Sequence, residues 1–119
     1  MPKLFDTNPN WPERALQMWI ILVACAHNRQ TLTYSHLAER IGYKDVRPIG
    51  QVLDYVWHYC NQHDLPPLTG IVVNKNTGLP GGGMGNYTLA DQETVFSFNW
   101  YNVVPPSPDE LDQAYRNSQ

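Results

Sequence analysis

Histidine and cysteine have the most chemically versatile side chains in this 119-residue chain, and their spacing limits what they can do. The four histidines are His27, His36, His58 and His63. None of them forms the His-x3-His or His-Glu-x-x-His pattern of a zinc site, and no carboxylate completes a ligand set. Cys25 and Cys60 lack CxxC spacing, so they indicate neither a metal site nor a disulfide framework. We therefore predict no metal and no cofactor.

A cysteine nucleophile needs a supporting base, and only Cys60 has a histidine at a helical spacing, His63. A cysteine on an apolar helical face is usually an inert core residue that keeps its proton. We interpret both cysteines as reduced core residues.

The glycine cluster between Gly78 and Gly85 could suggest a phosphate-binding loop. The Lys-Ser/Thr pair that holds phosphate and metal in such loops is missing. The composition instead indicates a connecting loop.

Polar residues on the third predicted helix offer a binding surface rather than a catalytic one. Gln51, Asp54, Tyr55 and His58 fall on its predicted exposed face. Glutamine reads adenine, and histidine or tyrosine can hydrogen-bond to phosphates. The same face also suits a protein partner, because Asp54 and Tyr55 fit protein contacts better than a DNA groove.

Three helices must position these residues. The first begins at Pro12 and ends near Asn28, with apolar residues at helical spacing. Thr33 is the predicted N-cap of the second, which ends at Gly42, and the third starts around Arg47-Pro48. The predicted core residues share this periodicity: Trp19, Leu22, Leu37, Ile41, Ile49, Val52, Leu53 and Val56.

A β-prone run, Ile71-Val72-Val73, and the glycine-rich loop follow the third helix. This order predicts a mainly α fold with a small β element (α+β): a three-helix winged helix-turn-helix domain with a C-terminal helical appendage. We expect a single domain over residues 1–119, with a winged-helix core at 11–87 and the appendage at 88–119. The appendage should end in an amphipathic helix over Ser107 to Arg116.

Charge is distributed unevenly along the chain, whose formal net charge is -3. Residues 14–85 carry six basic and four acidic side chains, whereas residues 91–119 carry one basic and five acidic ones. Phosphate contacts come mainly from Lys and Arg, and residues 14–85 carry only two more basic than acidic side chains. This charge balance is compatible with DNA binding but is not evidence for it.

The chain carries no sequence signal for a membrane. Its longest apolar run, Met18 to Ala26, falls well short of the roughly 18 residues that a span needs. The N-terminus does not have the layout of a signal peptide, so we expect a cytoplasmic protein.

The predicted helix-turn-helix contains specific residue types at fixed positions in addition to its apolar periodicity. These residues are Thr33-Tyr34, Leu37-Ala38, Ile41-Gly42, Arg47, Ile49-Gly50 and Leu53. This run resembles the winged-helix DNA-binding domain of the alkylguanine-DNA alkyltransferases and the alkyltransferase-like proteins. The resemblance covers roughly residues 11–87 and implies binding to duplex DNA.

The resemblance also implies two site residues. A tyrosine in the family presses against the target phosphate, and an arginine fills the stack left by a flipped base. By position these are Tyr34 and Arg47. A structural alternative stays open for each residue: Tyr34 packs beside the first helix, and Arg47 pairs with Asp45 or caps the third helix. With Gln51 and Lys75 added, the predicted DNA-binding residues are Tyr34, Arg47, Gln51 and Lys75.

The family's Pro-Cys-His-Arg-Val signature is absent. Leu68-Thr69-Gly70-Ile71-Val72 stands in its place, so nucleophile and base are both missing. We expect no alkyl transfer and no other catalysis from this position, because a threonine hydroxyl is a poor nucleophile without a neighbouring base.

Two functional hypotheses follow. The first is a non-catalytic DNA-binding protein of the alkyltransferase-like type that recognises duplex, modified or distorted DNA. The second is a protein-binding immunity, antitoxin or anti-defence factor on the same scaffold, favoured by Asp54 and by the acidic C-terminal segment.

Overall fold

The computed structural model describes residues 4–5, 9–75 and 88–118. Its α-helices are α1 (Trp11–His27), α2 (Tyr34–Arg40), α3 (Ile49–Gln62), α4 (Leu89–Ser97) and α5 (Pro108–Asn117). The strands are β1 (Leu32–Thr33) and β2 (Val72–Val73), and short 3₁₀ helices cover Leu68–Ile71 and Trp100–Asn102. The prediction of a mainly α fold with a small β element is confirmed.

Local hydrogen bonds define where α1 begins. The Asn10 side chain accepts from the Glu13 backbone N–H at 3.0 Å, and the Glu13 carboxylate accepts from the Asn10 N–H at 3.1 Å. This capping box satisfies two amides that a helix N-terminus leaves without partners. The helix ends at His27 with Asn28 as its C-cap, so the predicted end near Asn28 is confirmed.

The N-cap at Thr33 and the glycine turn at Gly42 form as the sequence predicts. The Thr33 hydroxyl oxygen accepts from the His36 backbone N–H at 3.2 Å and caps α2. Gly42 adopts a φ of 85°, a backbone conformation that side chains with a Cβ disfavour. α3 then begins at Ile49, with Pro48 at its N-cap.

The two strands pair in parallel, with Leu32 opposite Val72 and Thr33 opposite Val73. The predicted run Ile71-Val72-Val73 forms a strand only at its last two residues, because Ile71 ends a 3₁₀ helix. The wing remains a prediction, since the glycine loop at 78–85 lies outside the described residues.

The C-terminal segment packs against α1 and α3. Trp100 is buried, its ring meets Trp19 edge to face at 5.7 Å, and its indole N–H donates to the Val95 carbonyl oxygen at 2.8 Å. From α5, Leu111 and Ala114 are buried in the same core. Residues of the predicted appendage therefore help to form the hydrophobic core.

All eight predicted core residues are buried, so that prediction is confirmed. Further buried side chains come from later in the chain: Leu68, Ile71, Val72, Val95, Trp100 and Leu111. Among the described residues, no helix has both the length and the apolar character needed to cross a bilayer.

One prediction about α3 is wrong. Tyr55, expected on the exposed face, is 7% exposed, and its ring stacks on Tyr115 of α5 at 4.4 Å. His58 is half-buried and meets the same ring edge to face at 5.9 Å. Asp54 is also half-buried, whereas Gln51 is exposed as predicted. The face is covered because α5 packs along this side of α3.

Candidate nucleic-acid interface

Two of the predicted DNA-binding residues meet at one open hollow on the surface. Tyr34 begins α2 and Lys75 follows β2, and both line a hollow of about 310 Å³. The complete lining is Thr33, Tyr34, Ser35, Val46, Val73, Asn74 and Lys75. Hydroxyl, amide and ammonium side chains line the hollow together with Val46 and Val73, and such polar groups contact phosphate in protein–DNA complexes.

Parallel pairing of the strands explains why residues so far apart in sequence meet here. β1 runs directly into α2, so Tyr34 follows Thr33 without a loop. Because Val73 lies opposite Thr33 in the same direction, the chain leaves β2 beside the start of α2. Asn74 and Lys75 are thereby carried to the wall of the hollow.

Tyr34 has two roles in the structure. Its side chain is half-buried and packs against the hydrophobic core. The same residue lines the hollow, where its polar tip suits a contact at the protein surface. Packing against the core and lining the hollow are compatible in this geometry.

Arg47 pairs with Asp45, which was the structural alternative for this arginine. Its Nε donates to Asp45 Oδ2 at 2.7 Å, and its backbone N–H donates to Oδ1 at 2.8 Å. The hydrogen bond from the Arg47 side chain lowers the pKa of the Asp45 carboxyl. The Arg47 side chain is 88% exposed, so the pair is worth little to stability, and the guanidinium lies within reach of a ligand.

The remaining two predicted residues, Arg47 and Gln51, do not line the hollow. Val46 forms part of the wall, and Arg47 is the next residue. Gln51 is exposed in the first turn of α3 but does not line the hollow. The structure thus places Tyr34 and Lys75 on one hollow, whereas Arg47 only follows the lining residue Val46 in sequence and Gln51 is not part of the lining.

Arg14 holds the turn between α2 and α3 in place, a role that sequence reasoning missed. Its guanidinium donates to the Ile41 carbonyl oxygen and to Gln17 Oε1, and it lies 4.9 Å from the centre of the Tyr43 ring. These contacts tie the turn that leads to Val46 and Arg47 to the surface of α1. The sequence gives no signal for this, because an arginine on the polar side of a helix looks like a solvated surface residue.

The residues at and near the missing signature have little nucleophilic character. Thr69 is 6% exposed, and its hydroxyl has no hydrogen-bond partner among the described residues. Burial raises the pKa of the Cys60 thiol to about 12, despite a hydrogen bond from the Leu68 backbone, and burial also raises the pKa of Cys25. The His63 ring packs on Tyr59 at 4.2 Å.

The described part of the chain contains no group of three His, Cys, Asp or Glu side chains that could hold a metal ion. Three of its arginines form ion pairs with carboxylates: Arg29 with Glu93, Arg47 with Asp45 and Arg116 with Asp112.

The fold and site define a small, mainly helical protein with a two-stranded parallel sheet and an open hollow at the start of α2. No protein-family model, no curated protein and no solved structure matches this chain.

Proposed function

We propose that this protein is a non-catalytic, winged-helix protein of the alkyltransferase-like type that binds double-stranded DNA through Tyr34, Arg47, Gln51 and Lys75. The observation that supports the proposal is that Tyr34 and Lys75, from distant parts of the sequence, line one hollow that also includes Val46, the residue before the exposed Arg47.

Each residue has a chemical role in this proposal. The Lys75 ammonium and the Tyr34 hydroxyl hold a backbone phosphate in the hollow. Gln51 lies in the first turn of α3, and the N-terminal residues of a recognition helix are those that reach base edges. Arg47, at the end of the turn, is exposed and planar, which suits insertion into the stack beside an extruded base.

The small number of basic residues predicts weak dependence on salt. Lys75 and Arg47 are the two basic side chains of the interface, so the logarithm of affinity should fall with the logarithm of salt concentration with a slope of about -2. A slope this shallow distinguishes local contacts from a broad basic patch.

The test is a fluorescence anisotropy titration of an unmodified duplex and of the same duplex with one alkylguanine, from about 50 to 200 mM salt. Arg47→Ala should weaken binding by about 1–3 kcal/mol, and Lys75→Ala should reduce the salt slope by about 1. Asp45→Asn should strengthen binding, because it removes the carboxylate that competes with phosphate for Arg47. Tighter binding to the modified duplex would support recognition of altered DNA.

Arg116→Ala is the matched control, because this arginine pairs with Asp112 on α5 and does not line the hollow. Its affinity and salt slope should equal those of the wild type. After incubation with the alkylguanine duplex, the intact mass of the protein should be unchanged. A gain of one alkyl group that Cys60→Ala or Thr69→Ala abolishes would refute the non-catalytic proposal.

A protein-binding role as an immunity, antitoxin or anti-defence factor is the second candidate. It is favoured by the ion pairs that occupy Arg29, Arg47 and Arg116, because paired guanidinium groups are less available to phosphates. Absence of duplex binding at about 50 mM salt, where phosphate attraction is strong, would favour this candidate over DNA binding.

A further inference from the structure

Two largely apolar hollows lie along the outer face of α1. The first, of about 290 Å³, is lined by Leu4, Phe5, Glu13, Leu16 and Pro108. The second, of about 190 Å³, is lined mainly by Trp19, Ile20, Val23, Tyr101, Val103 and Pro105. We call the two hollows together the α1 groove.

The hollows share both of their walls. Leu16 and Ile20 are four residues apart on α1, so their side chains are neighbours on one face of the helix. On the opposite wall, Pro108 lines the first hollow and Pro105 lines the second. The chain from Val103 to Pro108 therefore runs along the groove in the direction opposite to α1, and the hollows are successive parts of one groove.

Exposed apolar side chains concentrate in this groove. The described part of the chain has eight large hydrophobic side chains that are exposed. Four of them line the groove: Leu4, Phe5, Ile20 and Tyr101. A fifth, Val104, belongs to the wall segment and is 84% exposed. Such a concentration is typical of an interaction site, whereas single exposed hydrophobic residues need no explanation.

The backbone of both walls offers few free N–H groups. Within α1 the backbone N–H groups are paired internally, and Pro105, Pro106 and Pro108 have none. The Ser107 N–H already donates to Glu110 Oε1 at 3.0 Å. An extended peptide laid along these walls would leave the carbonyl oxygens that face them without donors, whereas a helix pairs its backbone internally. The groove therefore fits a helix, which can place side chains four residues apart in the two hollows.

One end of the groove is acidic. The Glu13 carboxylate belongs to the lining of the first hollow, and the exposed Asp109 and Glu110 follow Pro108 directly. Among the residues that the structure describes, no Lys or Arg lines either hollow. A second copy of this chain, with its formal net charge of -3, would bring further carboxylates to this end. The charge therefore favours a partner helix with basic residues over a second copy.

We propose that the α1 groove binds an amphipathic helix of another protein, with its apolar side chains in the two hollows and lysine or arginine at the acidic end. The described linings of this groove and of the hollow at Tyr34 and Lys75 share no residue, so the proposal is independent of DNA binding.

The test uses the full chain, labelled with ¹⁵N, and three synthetic peptides of about four helical turns, held helical by lactam links between side chains. The probe peptide carries leucine at positions i, i+4 and i+7 on an alanine background, with lysines at one end. The second peptide has glutamates in place of the lysines. The third has the composition of the probe, with its leucines dispersed around the helix.

We expect the probe peptide to shift the amide signals of residues 13–23 and 101–110. Its affinity should exceed that of either control peptide by about tenfold or more, because only the probe combines one apolar face with a charge opposite to that of Glu13, Asp109 and Glu110.

Variants separate the groove from the rest of the surface. Ile20→Ser should bind the probe peptide more weakly by about tenfold or more, because it removes an apolar contact in the second hollow. Asp109→Asn should weaken binding of the probe and strengthen binding of the glutamate peptide, since it removes one negative charge. Leu89→Ser is the matched control, because it changes an exposed hydrophobic residue outside both described linings, and it should bind like the wild type.

Thermal unfolding of each variant, followed through the buried Trp100, checks that the fold is retained. The proposal is overturned if the probe peptide does not bind at about 1 mM, if the glutamate peptide binds as tightly, or if the shifted amides lie elsewhere. It is also overturned if the folded Ile20→Ser variant binds unchanged. A dimer that sedimentation detects and that Ile20→Ser abolishes would overturn it too, since a second copy would then occupy the groove.

Discussion

Burial decides the chemistry of the two cysteines, the side chains with the greatest nucleophilic potential in this protein. Cys60 is 1% exposed and faces the core from α3, so water does not stabilise its thiolate. The raised pKa of about 12 keeps the thiol protonated at neutral pH. Reaction as a thiolate is therefore disfavoured even with His63 nearby in sequence.

The Cys60 thiol should also make the protein sensitive to alkali. Its pKa is about 12 in the folded chain against a reference of 9.0, so between these values the unfolded chain binds fewer protons than the native one. Stability that is fully present below pH 9 should therefore be lost as the pH rises towards 12, with a slope of up to about 1.4 kcal/mol per pH unit.

Urea unfolding of the wild type and of Cys60→Ala at several pH values from neutral to strongly alkaline measures this slope. The variant should be less stable at neutral pH, because it leaves a small cavity, but its stability should decline less steeply. Part of the decline should remain, because burial also raises the pKa of Cys25, Tyr55 and Tyr59. Equal slopes in the two proteins would contradict the assignment to Cys60.

Short-range hydrogen bonds mark where α1, α2, α4 and α5 begin. Asn10, Thr33, Thr88 and Ser107 each accept a backbone N–H three residues later, and such caps satisfy amides that the helix cannot pair internally. Thr33 has a further consequence, since it ends β1 and caps α2 at the same point. This places Tyr34 next to the parallel strand that leads to Lys75.

Thr33→Ala should lower the free energy of unfolding by about 0.5–2 kcal/mol, the usual effect of removing an N-cap hydroxyl. Thr33→Ser keeps an acceptor for the His36 N–H and should retain most of the stability. Chemical denaturation of the three proteins makes the comparison. The assignment of the cap fails if the serine variant is as unstable as the alanine variant.

The C-terminal helix α5 completes the hydrophobic core of the molecule. α5 covers one side of α3 through the stacked Tyr55 and Tyr115 rings, and Gln62 Nε2 donates to the Ala114 carbonyl oxygen at 2.7 Å. Leu111 of α5 is fully buried in the core that α1 and α3 also form. The side of α3 around Tyr55 is therefore occupied by the protein itself, so the residue of α3 in the proposed DNA interface is Gln51, in its first turn.

Leu111→Ala should destabilise the protein by about 2–5 kcal/mol, because it removes a buried side chain and leaves a cavity. Gln113→Ala, an exposed change on the same helix, is the matched control and should stay within about 0.5 kcal/mol of the wild type. Both values come from urea unfolding followed by tryptophan fluorescence. A leucine variant as stable as the control would show that α5 contributes little to the core.

Much of the helical architecture could be predicted from local signals. Thr33, Gly42 and the apolar spacing of Val52, Leu53 and Val56 act within a few residues, so the sequence alone predicts the N-cap of α2, the turn after it and one buried face of α3. The prediction that Tyr55 is exposed is wrong, because the apolar periodicity of α3 does not show that α5 packs against another side of the same helix.

Tertiary structure decided how the candidate site is assembled. The sequence by itself determined that the chain is mainly helical with a small β element, because helix caps and apolar periods are short-range properties. Three features depend on residues that are far apart in sequence. Tyr34 and Lys75 line the same hollow, Arg14 donates a hydrogen bond to the Ile41 carbonyl oxygen in the turn, and Tyr115 of α5 stacks on Tyr55. Such contacts form only when elements pack, and no local pattern encodes which elements will be neighbours.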